Sequence, residues 1–158
     1  MKLEVDAREA YECYPNLVVL VTSVGGEGVA NVMTCCWAVQ FGWEPPLFGL
    51  VMRPERYTYE LIRETGEFVV NVPTRELEDA VMFCGGNSGR DVDKWAGTVL
   101  TPVPAQTVSP PLVEECVMHM ECQVVDMRRY GERMLVVGRV KTIYKDAELY
   151  DPGNLILL

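Results

Sequence analysis

Apolar residues in this chain gather in short, β-branched runs punctuated by glycine, proline and charged residues, the pattern of strands joined by turns. Leu17–Ser23 is such a run and is expected to form a buried strand, followed by a turn at Gly25-Gly26-Glu27-Gly28. Val29 to Gln40 reads as a second strand. After the Pro45-Pro46 break, Leu47 to Met52 reads as a third. Pro54 suits the first turn of a helix whose inward face carries Leu61 and Ile62 and which Gly66 ends. Glu67–Val72 is a fourth strand, and Arg75 to Phe83 a helix stopping at Gly85-Gly86. The polar stretch Asn87–Trp95 reads as a loop leading into a short helix, and Pro102 to Pro111 as an extended connection. Val113 to Met127 alternates in part. Val117, His119, Glu121 and Gln123 fall on one side, Met118, Met120, Cys122 and Val124 on the other. A turn at Tyr130-Gly131-Glu132 returns the chain along Arg133–Tyr144, so these two runs form a long hairpin. Near the N-terminus, Ala7 to Tyr14 has helical spacing up to Pro15. Many strands with a few inserted helices predict a closed or nearly closed barrel, which leaves no strand edge bare.

Composition narrows the function. The 158 residues suit a single domain spanning 1–158. A formal net charge of −9 argues against nucleic acid and anionic membrane as partners. It leaves room for one anionic ligand held by a local Arg/Lys cluster. No run is long and apolar enough to span a bilayer, and Met1–Asp6 lacks the apolar core of a signal peptide, so a cytoplasmic location is expected. Cys13, Cys35, Cys36, Cys84, Cys116 and Cys122 contain no CxxC pair, and His119 is the single histidine. No metal centre is therefore expected.

Candidate chemistry concentrates in three places. Arg53, Arg56, Tyr57 and Thr58 stand where a strand meets a helix start. Forked guanidinium donors, a hydroxyl and free helix N–H groups there would receive a phosphate; the alternative is a solvated first turn. Asn31, Met33, Thr34, Cys35 and Cys36 are mostly small residues of one strand, where a flat ring could lie against the backbone; a plain core strand is the alternative. Cys35 and Cys36 point to opposite faces of a strand and are not expected to form a redox disulfide. Ser88, Gly89, Arg90 and Lys94 could bring a hydroxyl and an ammonium to an anion, with Gly89 permitting close approach; Asp91 and Asp93 suit surface or capping roles. Cys84 near a helix end gains no activation from its position, His119 reads as a satisfied core or interface residue, and Trp37, Trp43 and Trp95 as packing residues more than ring stackers.

In order along the chain, these residues resemble the flavin reductase-like family, the FMN-binding split barrels that include flavoredoxin-type proteins. The resemblance is carried by Leu20–Ser23, Asn31–Trp37, Pro45-Pro46, Arg53 with Thr58 and Ile62, and Glu67–Val72. It continues through Cys84-Gly85, Ser88–Lys94, Pro110-Pro111-Leu112, Glu121-Cys122 and Val136–Val140. It implies a six-stranded antiparallel Greek-key split β-barrel with inserted helices, forming a homodimer with one non-covalent flavin per subunit. FMN is the implied ligand and FAD an alternative within the family. Asn31 and Met33 to Cys36 would lie along the isoalloxazine. Arg53, Thr58, Ser88 and Lys94 would hold the phosphate and ribityl chain, joined by Arg56, Tyr57, Gly89 and Arg90. The implied activity is hydride acceptance from NAD(P)H on bound FMN, with electrons passed onward. The alternative is a flavoredoxin-like electron carrier served by a redox partner protein. No side-chain acid or base is expected to be catalytic. The chain lacks GxGxxG, so a nicotinamide nucleotide would bind against the flavin and not in a Rossmann fold. Its apolar end, Leu155–Leu158, suggests a tail that docks on a partner surface or a truncated chain.

Overall fold

The computed structural model describes residues 2–9 and 14–157, with the backbone alone at Phe41. Strand β1 (Val19–Val24) pairs antiparallel with β2 (Ala30–Cys35) across the expected glycine turn, where Gly28 adopts φ 79°. β3 (Ala38–Trp43) and β4 (Pro46–Met52) form a second hairpin, and β5 is Glu67–Val72. The short β6 (Pro102–Val103) and β7 (Leu112–Val113) pair with each other, and β8 (Met118–Tyr130) with β9 (Arg133–Lys145) makes the long hairpin. Helix α1 (Tyr57–Thr65) ends where Gly66 takes φ 72° and donates its N–H to Ile62 O at 2.7 Å. Helix α2 (Glu78–Gly86) follows a 3-10 turn at Arg75–Leu77. Of the N-terminal helix expected from Ala7 to Tyr14, Ala7–Glu9 is a 3-10 turn and residues 10–13 lie outside the described residues.

One seven-stranded sheet runs in the order β2-β1-β5-β8-β9-β4-β3. The expected six becomes seven because Val29–Gln40 is two strands, divided by a corner at Cys36-Trp37. That corner shapes the molecule. β2 and β3 are the two opposite edges of the sheet, yet only Cys36 and Trp37 separate them in the chain. Laid flat, seven strands would hold their edges about 29 Å apart. Three Cα steps from Cys35 to Ala38 span at most about 11 Å. The sheet must therefore curl until its edges approach, giving an antiparallel half-barrel.

β1 is buried throughout because both of its faces are covered. Val19 and Val21 join Met33, Phe48, Leu50, Phe68 and Val136 inside the curl. Val18 and Leu20 pack outside it with Val32, Ala80, Val81 and Leu100, against α2. Leu155 and Ile156 are buried in this same chain, and Val18 N–H donates to Ile156 O at 2.9 Å. Leu155 and Ile156 thus dock on their own subunit, where a partner surface was expected, while Leu157 stays exposed. Burial of two successive tail residues on either side of the β1 backbone explains why the tail is apolar without alternation.

The Pro-rich connection is strapped over the outer face by polar anchors. Thr22 Oγ donates to Pro111 O at 2.6 Å, and Asn71 Oδ1 accepts from Val113 N at 3.0 Å and meets His119 Nδ1 at 2.8 Å. His119 is accordingly a satisfied structural residue, as its place in an apolar strand predicts. Glu121, fully buried, accepts from Gln106 N at 2.9 Å, Thr107 N at 2.6 Å and the Thr107 hydroxyl. Burial pushes its carboxyl up, but those hydrogen bonds outweigh it and hold the group below the ordinary glutamate range. Its contribution is thus present above the ordinary glutamate value and lost as pH falls through the lower folded one. Glu121→Gln should therefore lower the urea midpoint at neutral pH, with the gap to wild type closing in acid. A gap that is constant with pH would show that the carboxylate's charge contributes nothing.

Candidate functional site

β2 is an edge strand, so one side of its backbone has no partner strand. Ala30 O accepts from Trp95 Nε1 at 3.0 Å and Val32 O from Lys94 Nζ at 2.8 Å, so these carbonyls point away from β1. By strand alternation the N–H and C=O of Thr34 face the same open edge. That edge lines a cleft of about 330 Å³. Every residue expected from the sequence to bind the flavin borders it: Asn31, Met33, Thr34, Cys35 and Cys36 from β2 and the corner, then Arg53, Arg56, Tyr57 and Thr58, then Ser88, Gly89, Arg90 and Lys94.

The β2 wall is braced from both ends. Asn31 Nδ2 donates to Thr58 Oγ at 2.9 Å, with both side chains buried, and Thr34 Oγ donates to Val81 O at 2.5 Å. The Cys35 thiol is buried and pushed up to about 12, which makes it an inert packing group. Cys84 is likewise raised by burial. Both cysteines are free thiols, as is Cys36.

At the opposite wall, α1 starts later than Pro54 suggested. Residues 53–56 form a turn closed by Arg56 N–H to Arg53 O at 3.1 Å, and the helix begins at Tyr57. The N-cap residue, Arg56, supplies no side-chain cap to the helix. The first N–H groups of α1 are thus available to an anion beside Arg56.

The 87–95 segment contains turns, not the short helix expected. Asp91 N and Val92 N both donate to Ser88 O at 3.1 Å, and Asp93 Oδ1 accepts from Trp95 N at 3.0 Å and Ala96 N at 3.1 Å. Side-chain capping by Asp93 takes the place of helical bonds. Gly89 is pressed so closely to the wall that a Cβ would lie 2.1 Å from Asn31 Oδ1. Lys94 departs most from expectation. It is 4% exposed, and its ammonium donates to Val32 O at 2.8 Å and to Cys84 O, near the end of α2, at 2.9 Å. Burial, opposed by Cys84 and reinforced by Arg56, pulls it below the ordinary lysine value. Two of its three donors join β2 to α2, so it builds the wall as well as bordering the cleft.

Arg90 is also committed: it lies 4.9 Å over the Tyr57 ring, donates to Glu55 O at 3.2 Å and pairs with Glu60. Arg53 sits apart, 4.0 Å from Glu132, which bonds Arg133 at 3.1 Å. Arg133 stacks over Trp37 at 4.4 Å and borders the cleft. Sequence reading missed Arg133, because only the β4–β9 register, Met52 opposite Met134, brings it beside Arg53. Trp37 was legible as an aromatic after the small-residue strand, but its place in the cleft wall follows from the corner. Arg53, Arg56, Arg90, Lys94 and Arg133 face this cleft with Glu55 as the carboxylate among them, in a chain of net charge −9. Such an inversion of local charge makes the cleft a favourable environment for negative charge. Among the described residues no group of three or more His, Cys, Asp or Glu side chains could hold a metal ion.

A curled antiparallel sheet with a cation-lined cleft at its open edge is the architecture of a split barrel. The family model described as flavin reductase like domain matches residues 11–157, and the chain belongs to that family. It is 39% identical over 127 residues to an uncharacterized protein of Archaeoglobus fulgidus, covering 80% of this chain and 71% of that protein. Among solved structures, flavoredoxin of Desulfovibrio vulgaris (Miyazaki F) superposes with a TM-score of 0.86 at 29% identity, over 98% of this chain and 82% of that one. An FMN-binding protein from Thermus thermophilus, solved with bound p-hydroxybenzaldehyde, superposes with a TM-score of 0.87 at 25% identity, over 100% of this chain and 89% of the other.

Proposed function

We propose that this protein binds FMN in the cleft and acts as an oxidoreductase, taking a hydride from NAD(P)H and passing electrons onward. The observation that carries this reading is the meeting of a cation-rich helix start with an open strand edge. The two complement the two ends of a flavin nucleotide. Arg56, the Ser88 hydroxyl and the first N–H groups of α1 would hold the phosphate. The free N–H and C=O of Thr34 would read the polar edge of the ring, with Asn31, Met33, Cys35 and Cys36 fixing its plane. A bound flavin supplies reversible two-electron chemistry, which no side chain here supplies. The residues bind, orient and shield. Thr34 is pinned by Val81 and Asn31 by Thr58, so the ring-facing edge is set before the ligand arrives. No side-chain acid or base is required at the cleft. A homodimer in the cytoplasm belongs to the same reading.

The test is to load FMN, desalt, and follow the flavin band anaerobically while NADH or NADPH is added. Bleaching by either nucleotide is expected. A band that persists with both would favour the flavoredoxin-like carrier, the reading to which the 29% identity with a flavoredoxin gives support. A protein that retains no flavin would overturn both. In the same assay Arg56→Gln should weaken FMN about tenfold, the worth of one charge-assisted hydrogen bond.

A further inference from the structure

The cations around the cleft fall into two groups, and one phosphate accounts for one of them. Arg56, Arg90 and Lys94 surround the start of α1, where Arg90 is fixed by Tyr57, Glu55 and Glu60. Arg53 and Arg133 form the second group. They end neighbouring strands, since Met52 pairs with Met134 and the next residues outward are Arg53 and Arg133. Glu132 Oε1 stands between them, 3.1 Å from Arg133 Nε and 4.0 Å from Arg53 Nη2. The Arg133 guanidinium carbon also lies 4.4 Å over the Trp37 ring, and its side chain is 27% exposed against 53% for Arg53.

This arrangement leaves donors to spare. Glu132 takes the Nε edge of Arg133, and the Nη1/Nη2 fork has no hydrogen-bond partner among the described residues. Stacking on an indole fixes the guanidinium plane and so lowers the entropy lost when the fork closes on an oxyanion pair. Two guanidiniums held by one carboxylate keep an excess of positive charge at a half-open position on the cleft wall. A mononucleotide bound at the α1 start has no second phosphate to use them.

We infer that Arg53 and Arg133, positioned by Glu132 and Trp37, form the subsite that takes the pyrophosphate of the nicotinamide dinucleotide. This rests on the flavin-reductase reading above and adds to it the residues that choose the electron donor. Each guanidinium would accept one phosphate of the bridge through paired N–H donors, placing the donor on the hairpin side of the cleft, opposite the FMN phosphate.

The test is calorimetric titration of NAD⁺ and NADP⁺, which cannot reduce the flavin, into FMN-loaded wild type, Arg53→Gln and Arg133→Gln. FMN retention is measured alongside. The expected result is about tenfold weaker binding of the oxidised nucleotide in each variant and a flatter dependence on salt, with FMN affinity unchanged in Arg133→Gln. Thermal midpoints check folding, and Arg133→Lys, which keeps the charge but loses the fork, should recover part of the affinity. Wild-type nucleotide affinity in the variants would overturn the subsite while leaving flavin binding intact. So would failure of wild type to bind either nucleotide. Loss of FMN or FAD affinity in the variants would assign the pair to the flavin instead. If wild type retains no flavin, the functional reading falls, and the same titration on unloaded protein still decides whether the pair binds a dinucleotide.

Discussion

Lys94→Met is expected to destabilise the fold by about 3 kcal/mol and to abolish flavin retention, although methionine has nearly the same length and shape. The ammonium is 4% exposed and bridges Val32 O and Cys84 O. Removing it orphans two buried carbonyls, one on the β2 edge and one near the end of α2. Each unsatisfied group costs on the order of 1–3 kcal/mol. With the bridge gone, α2 and the 87–95 turns lose their tie to the ring-facing strand. Cys36→Ser, a change of similar size on the same wall that leaves these bonds alone, should retain flavin close to the wild-type level. Urea midpoints and FMN titrations of the two variants decide the matter. A Lys94→Met protein with wild-type midpoint and FMN affinity would show that the wall does not depend on the ammonium.

The second large effect is expected at Gly89. A Cβ there would come within 2.1 Å of Asn31 Oδ1 and 3.2 Å of Tyr57 Cδ1. Asn31 cannot retreat without breaking its buried bond to Thr58. The loop must therefore lift, carrying Ser88 away from the start of α1. Gly89→Val should weaken FMN on the order of a hundredfold, the worth of two polar contacts to the phosphate end, with a stability loss of about 1–3 kcal/mol. Gly86→Ala is the control, because a Cβ at that position meets nothing within 4 Å. Pairing Gly89→Ala with Asn31→Ala makes the sharper test, since removing the amide should relieve much of the penalty. If the two penalties simply add, the clash with Asn31 is not the cause.

How much could be read beforehand differs by level. The apolar runs located the strands because β-branched residues gather where both faces are buried, as Val19 and Val21 inside the curl and Val18 and Leu20 outside it show. Gly66 and Gly131 marked a helix end and a hairpin turn through their positive φ of 72° and 57°. The grouping of the candidate residues into one cleft was legible through family resemblance. What escaped was set by long-range register. Arg133 looks like any hairpin cation until β9 is laid against β4. Lys94 looks like a surface lysine in a polar loop until two carbonyls, one from 62 and one from 10 residues away, close on its ammonium. The corner at Cys36-Trp37 also escaped. No glycine or proline marks it, and it arises because the curled sheet needs its edge strands side by side.

The same corner sets the gauge of the cleft. Cys36 and Trp37 are at once the link between the sheet's edges and part of the cleft wall, so the width available to a ligand and the curvature of the barrel are one quantity, fixed by a linker two residues long. Residues inserted there would leave every ladder hydrogen bond in place and still let the walls part. A longer corner in this chain would thus admit a thicker ligand without any change in strand pairing.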